Sequence, residues 1–254
     1  MRRWSVLSVL SVFLMTSGVY TADAQRRPES ARRGVATAHA RTDEGLERLA
    51  RHRAGRIEEL DLSRARLTPR SLQLLPRFER LRRLDLSGTR LTSSGAQYLA
   101  HLKGLRSLDL SNAPLRSSSA QYIAHLRGLR RLDVSGTDMS SSSAQYLAHL
   151  KGLRVLDMSH NDIGSSSTQY LAHLKELRRL DLSHTPIKAN SAQYFPYMRS
   201  LRRLDVSHTD LGNTSVQYLV RMKGLRVLDV RGTRIDDRGI ERLYAELPGC
   251  DVIR

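Results

Sequence analysis

The sequence predicts an α/β solenoid, a curved stack of like units with a parallel sheet on its concave face and short helices on its convex face. Three observations carry this. A 24-residue unit, first complete from Leu81 as LRRLDLSGTRLTSSGAQYLAHLKG, restarts at Leu105, Leu129, Leu153, Leu177, Leu201 and Leu225 with no insertion or deletion, and a looser copy opens at Ile57. Each unit begins with leucines at strand spacing and continues with apolar residues at helical spacing. A unit this short cannot bury its apolar face alone, so its neighbours must cover it.

At the start of the chain, Arg2 and Arg3 precede a mostly apolar run over residues 5–20, and Ala22-Asp23-Ala24 supplies small residues. This is the pattern of a secretory signal, residues 1–24, cleaved near Ala24, and it implies a periplasmic or secreted protein. The run is too short to span a bilayer comfortably, and no later stretch is long enough to do so. Residues 25–42 are polar and Arg-rich, with Pro28 and Gly34, and read as a flexible basic tail. Residues 43–56 read as a capping helix, with Thr42 or Asp43 as N-cap and Leu46 and Leu49 turned to the first unit. Eight units fill residues 57–248. Residues 249–254 are expected to close the stack, with Val252 where a ninth strand's leucine would fall.

The unit from Leu105 illustrates the design. Leu108 and Leu110 alternate inward along a strand, and Leu115 closes the following turn. Ser117, Ser118 and Ser119 are expected to cap a helix through their hydroxyls. Ala120, Ile123, Ala124 and Leu126 recur at helical spacing, and Gly128 is expected to end the helix with a left-handed turn. Helices are bulkier than strands, so the sheet side becomes concave.

The pattern Leu105-x-x-Leu108-x-Leu110-x-x-Ala113-x-Leu115 resembles the leucine-rich repeat, and Gly95-Ala96 with Leu99-Ala100 is similar to the bacterial GALA and ribonuclease-inhibitor-like types. The resemblance covers residues 57–248. It implies a horseshoe or arc that binds protein ligands, usually on its concave face. The family's turn asparagine is mostly threonine here (Thr89, Thr137, Thr185, Thr209 and Thr233) and survives as Asn161. Threonine has fewer donors and acceptors than asparagine, which predicts a less tightly bonded turn. The GALA likeness also implies, by analogy, a secreted adaptor for host ubiquitin machinery. That role needs an F-box-like module, and the segment before Ile57 is too short and charged for one.

Residues at one repeat position form a column. An aspartate column runs through Asp61, Asp85, Asp109, Asp133, Asp157, Asp181, Asp205 and Asp229, with Arg83, Arg131, Arg179 and Arg203 two residues earlier on the same face. The two are expected to interleave as an ion-pair ladder, since lone carboxylates at strand spacing of about 4.8 Å would repel one another. A serine column follows, and His160, His184 and His208 stand beside it in three consecutive units, with Asp162 and Asp210 two residues beyond the first and last. Imidazoles and carboxylates so placed suit a partner contact that responds to pH. A metal needs converging ligands, whereas parallel columns point the same way, so neither metal nor cofactor is expected. Serine, histidine and aspartate recur as columns without one oriented nucleophile or a glycine-flanked elbow, so no catalytic residue is expected either.

On the convex side, Tyr98, Tyr122, Tyr146, Tyr170, Tyr194 and Tyr218 form a column with His101, His125, His149 and His173 three residues on. Phe195-Pro196 breaks the pattern and marks a local feature. Where helix returns to strand, Lys103, Arg127, Lys151 and Lys175 make one cationic row and Arg106, Arg130, Arg154 and Arg178 a second. The formal charge is +17, of which Arg2, Arg3 and Asp23 take a net +1 into the signal, leaving +16. That balance favours anionic partners. Cys250 is the single cysteine, so no internal disulfide forms.

The expected function is non-catalytic binding of a protein partner through the concave face, at Arg179, Asp181, Arg203, Asp205, His160, Asp162, His184, His208 and Asp210. The alternative is an envelope binder of anionic polymers through the basic edge. Nucleic acid fits less well, because aromatics do not interleave with that edge.

Overall fold

The computed structural model describes residues 37–254; the signal and the tail up to residue 36 lie outside the described residues. One ten-stranded sheet runs in chain order and is parallel throughout. Its strands are β1 (Thr37–His39), β2 (Glu59–Asp61), β3 (Arg83–Asp85), β4 (Ser107–Asp109), β5 (Arg131–Asp133), β6 (Val155–Asp157), β7 (Arg179–Asp181), β8 (Arg203–Asp205), β9 (Val227–Asp229) and β10 (Asp251–Ile253). Leu60 pairs with Leu84, Leu84 with Leu108, and so on to Leu228 with Val252, so every step from β2 onward is one unit long. The flexible-tail reading does not hold for Thr37–His39, which pair with β2 and cover its edge.

The outer layer is α1 (Asp43–His52), α2 (Pro69–Leu72), α3 (Ser93–Ala96), α4 (Ala120–Ile123), α5 (Ser141–Leu147), α6 (Ser167–Leu171), α7 (Asn213–Leu219) and α8 (Asp237–Glu246), interspersed with 3-10 turns. Only α1 and α8, at the two ends, reach ten residues. They are also the helices with a bonded N-cap: Gly45 N donates to Thr42 Oγ1 at 3.2 Å and Gly239 N to Asp236 Oδ1 at 2.9 Å. Inside the stack neighbours hold each short helix, so intrinsic helix stability matters less. Between sheet and helices the leucine columns form one continuous core, each buried leucine contributing about 2 kcal/mol. Pro196 lies in a 3-10 helix, Ala189–Tyr197, which replaces the α-helix of the sixth unit.

Two local expectations need correction. The serines do not cap the inner helices. Instead Ser119, Ser143, Ser167, Ser191 and Ser215 point into the stack and are fully buried. Ser119 donates to Ser93 Oγ at 2.9 Å, whereas the hydroxyls of Ser143, Ser167, Ser191 and Ser215 have no protein partner. Gly128 takes no left-handed turn either. It and Gly104 are glycine because an arginine lies over each. A Cβ on Gly104 would come within 2.7 Å of Arg82 Nη1, and one on Gly128 within 3.0 Å of Arg106 Nη1.

The buried turn of the fifth unit differs from the rest. Asn161 Oδ1 accepts from Thr137 N (3.2 Å), Thr137 Oγ1 (3.2 Å) and Met139 N (2.9 Å). Its Nδ2 lies within bonding distance of the carbonyls of Val134 (2.7 Å), Met158 (3.1 Å) and Ser159 (3.0 Å). In the same column Thr89, Thr185 and Thr209 each donate one hydroxyl bond within their own turn, as Thr185 does to Leu182 O at 2.6 Å, and Thr137 crosses units only through Asn161.

Asn161→Ala is expected to lower unfolding free energy by about 3 kcal/mol, because it orphans several buried groups at once. Asn161→Thr should cost clearly less, since threonine restores the intra-turn bond. Equal losses in urea denaturation would refute the cross-unit role. Ser143→Ala, Ser167→Ala, Ser191→Ala and Ser215→Ala should each be neutral or stabilising by up to about 1 kcal/mol, since a buried hydroxyl without a partner costs stability. A loss of stability by the same measurement would show that the hydroxyls are engaged.

Candidate functional site

The aspartate and serine columns are one device. In seven consecutive units the serine two residues after the aspartate donates both its backbone N–H and its hydroxyl to one carboxylate oxygen. At Ser183 and Asp181 the distances are 3.0 and 2.7 Å, at Ser207 and Asp205 3.1 and 2.7 Å. In the eighth unit Arg231 stands in the serine's place and forms an ion pair with Asp229 at 2.6 Å. This clamp fixes the chain as it leaves each strand. The expected ladder of arginines interleaved with aspartates therefore does not form. Arg83 pairs with Glu59 at 3.4 Å, and none of Arg131, Arg179 and Arg203 makes an ion pair among the described residues. Asp181 and Asp205 are buried and support the surface instead of presenting charge on it. The constant Asp-x-Ser spacing was the sequence signal for this clamp.

Stacking the clamps brings carboxylates together in a poorly hydrated strip. Burial, with the neighbouring carboxylates adding to it, raises Asp109 to about 6 and Asp157 to about 7. Asp133 and Asp205 are raised for the same reasons. Asp61 at the open end moves the other way. Burial still pushes it up, but hydrogen bonds from Ser63, Arg41 and His39 outweigh this and hold it below the ordinary carboxylate range.

Beyond each clamp the chain passes through a left-handed residue. The positions are Arg64, Gly88, Asn112, Gly136, His160, His184, His208 and Gly232, with φ between 54° and 62°. Glycine and asparagine are the residues that enter this region readily. Three histidines in a row thus occupy a position whose backbone favours something smaller. All three are exposed. Their rings stack with centroids 4.3 Å apart, tilted by 12° and 14°. His208 in turn lies over Gly232, where a Cβ would come within 2.5 Å of its Nδ1. Burial, then the flanking His160 and His208, lowers the pKa of His184. The rings face one another and do not converge, and among the described residues no group of three or more His, Cys, Asp or Glu side chains is placed to hold a metal.

The remaining sequence candidates separate by exposure. Arg179 is exposed and Arg203 half-buried on the sheet face. Asp162 is exposed, and Asp210 is paired with Arg234 at 3.0 Å. At the other edge, Lys103, Arg127, Lys151 and Lys175 are exposed, as are Arg106, Arg154 and Arg178, while Arg130 is half-buried. The inner arginine row has a structural task that the sequence reading missed. Arg82, Arg106 and Arg130, each at the start of a unit, donate to the carbonyl of the glycine that ends the same unit, Gly104, Gly128 and Gly152, at 2.8, 2.8 and 2.5 Å.

A repeated in-register strand, clamp, turn and helix is the architecture of one family. The chain belongs to the leucine-rich-repeat family. Two models described as leucine rich repeat match residues 79–139 and 140–187, and 197–220 and 225–243. These matches define the general repeat and do not single out the GALA type. Among solved structures the chain is similar to internalin C2 of Listeria monocytogenes, with 21% identity over 86% of this chain and 80% of that one, at a TM-score of 0.54. It is also similar to the mouse RP105/MD-1 complex, with 22% identity over 77% of this chain and 39% of that one, at a TM-score of 0.55. At these identities the likeness is one of fold. No curated protein matches in sequence. Among the described residues no helix of this leucine-rich-repeat protein is long and apolar enough to cross a membrane.

The raised aspartates make stability depend on pH. They bind protons more tightly in the folded chain than in the unfolded one, so stability falls as pH rises from about 4 through 6 and 7. Protonation of His184 opposes this at low pH, but its ring is exposed and its effect small. The melting temperature is expected to rise by roughly a few degrees between pH 7.5 and 5. Asp157→Asn, which keeps the oxygen that Ser159 bonds, should flatten that slope. A melting temperature that falls steadily with acidification would contradict the protonated strip.

Proposed function

We propose that this is an exported, non-catalytic leucine-rich-repeat protein that holds a protein partner on its concave face, with the contact centred on the fifth to seventh units. The observation that carries this reading is the histidine stack. An exposed ladder of three rings occupies left-handed backbone positions that hold glycine or asparagine in four of the five other units and Arg64 in the first. Stacked rings lose little further freedom on binding and offer apolar faces with polar edges. Arg179 and Arg203 lie on the same sheet and make no ion pair among the described residues, so their guanidinium groups are available to a partner's carboxylates. Asp162 and the Asp210–Arg234 pair border the stack and set its charge pattern. The RP105 structure, itself a complex with MD-1, supports a binding role for such a scaffold.

The test is His160→Gly, His184→Gly and His208→Gly combined. Glycine suits the left-handed backbone, so the fold should keep or slightly gain thermal stability. Affinity for the partner captured from an extract by the intact chain should drop at least about tenfold, as expected for loss of an interface centre. Unchanged affinity would move the interface away from the stack.

A further inference from the structure

The edge where helix returns to strand is charged on one side of neutrality only. From Gln97 onward, six successive segments (97–106, 121–130, 145–154, 169–178, 193–202 and 217–226) each carry at least two Lys or Arg and together hold one acidic residue, Glu176. Glu176 is already committed, lying 3.6 Å from Arg130 and 3.5 Å from Arg154. The chain's largest acidic series, the aspartate column, faces the sheet side and is clamped by serines, so it does not offset this edge. The inner cations are held in place: Arg82, Arg106 and Arg130 are pinned by the carbonyls of the glycines that end their own units. Their spacing is set by the sheet at about 4.8 Å per unit. The outer row at Lys103, Arg127 and Lys151 is exposed, and its side chains make no hydrogen bond or ion pair within the described residues.

We propose that this edge is a docking rail for a linear polyanion, specifically an acidic polysaccharide carrying carboxylate or sulfate groups. Fixed guanidinium groups at regular spacing bind repeated anionic groups with little further loss of freedom. A cleft of about 320 Å³ opens beside the rail at the sixth unit, walled by Tyr170, Tyr194 and Tyr197 with His173 and Lys175 at its border. Tyr197 is 59% exposed, and Lys175 Nζ donates to its carbonyl at 3.4 Å. A sugar ring presents an apolar face that covers tyrosine while its acidic substituent meets the lysine. Single-stranded nucleic acid needs a run of exposed aromatic platforms along the cations, whereas of the tyrosines in these segments Tyr98, Tyr122, Tyr170, Tyr194 and Tyr218 pack against the core and only Tyr146 and Tyr197 are exposed. The site is separate from the histidine stack, which lies at the opposite end of the strands.

The full chain would be titrated with heparin, polygalacturonate and a duplex and single-stranded DNA between about 50 and about 200 mM salt, the range over which polyelectrolyte contacts weaken steeply. The expected result is binding to at least one of the two glycans that falls steeply with salt. Lys103→Ser, Arg127→Ser and Lys151→Ser combined should leave the melting temperature unchanged, weaken that binding at least about tenfold and flatten its salt slope. The triple His-to-Gly variant should bind as the wild type does. No glycan binding at the lowest salt, equal binding by the Lys/Arg variant, or tighter binding to either DNA would overturn the proposal.

Discussion

The strict parallel register is the constraint on which everything else rests. Leu60, Leu84, Leu108 and their successors meet side by side because no unit gains or loses a residue. A slip of one residue in any unit would turn its buried leucine outward and break the core at that point. Register also turns each choice of residue into a column. A substitution harmless in one unit becomes, when repeated, a row of like groups a strand's width apart. The device that satisfies one unit must therefore tolerate its own copies.

The aspartate clamp shows that cost. In a single turn, an aspartate accepting two bonds from a serine is an ordinary stabilising arrangement. Stacked, the carboxylates crowd and lose water, and Asp109 and Asp157 hold protons to about 6 and 7. The clamp survives there because a protonated carboxyl still accepts through its other oxygen. In the first unit, where Asp61 meets Arg41 and His39 at the open end, hydrogen bonds hold the carboxyl below the ordinary range instead. The histidine stack obeys the same rule with an opposite balance, since rings that repel when charged attract as neutral faces.

The strands, the inward leucines and the repeat boundaries were legible because burial at period two and helical spacing leave a direct mark on the residues. The turn chemistry was less so. Gly88 and Gly136 sit at left-handed positions, whereas Gly104 and Gly128 exist to let an arginine pass, and the letter G is the same in both. The serines of the helix segment read as caps from their position, yet Ser143 and Ser215 lie inside the first turns of α5 and α7, on the side buried in the stack. The Arg–Asp ladder failed for a related reason: two columns on one face were paired by charge, while the nearer donor, the serine two residues on, was left out of account. At the candidate site the histidines were visible as a run of three. That they occupy a glycine-type backbone position was not, because φ leaves no signature until the alternation with Gly and Asn is aligned across units.

Charge is distributed by this geometry, not merely summed. The aspartates of the repeat face the sheet, where burial and crowding raise Asp109, Asp133, Asp157 and Asp205. The bases stand at the return to the strand, where the arginines serve both as staples between the start and the end of a unit and as exposed cations. A guanidinium can do both because its several donors point in different directions, so that one N–H fixed on a carbonyl leaves others facing solvent. The consequence is a chain whose excess of positive charge is displayed along one edge at a spacing set by the backbone. Structural stapling and the proposed anion recognition therefore draw on the same residues, and Lys103, Arg127 and Lys151, whose side chains staple nothing among the described residues, are where the two roles separate.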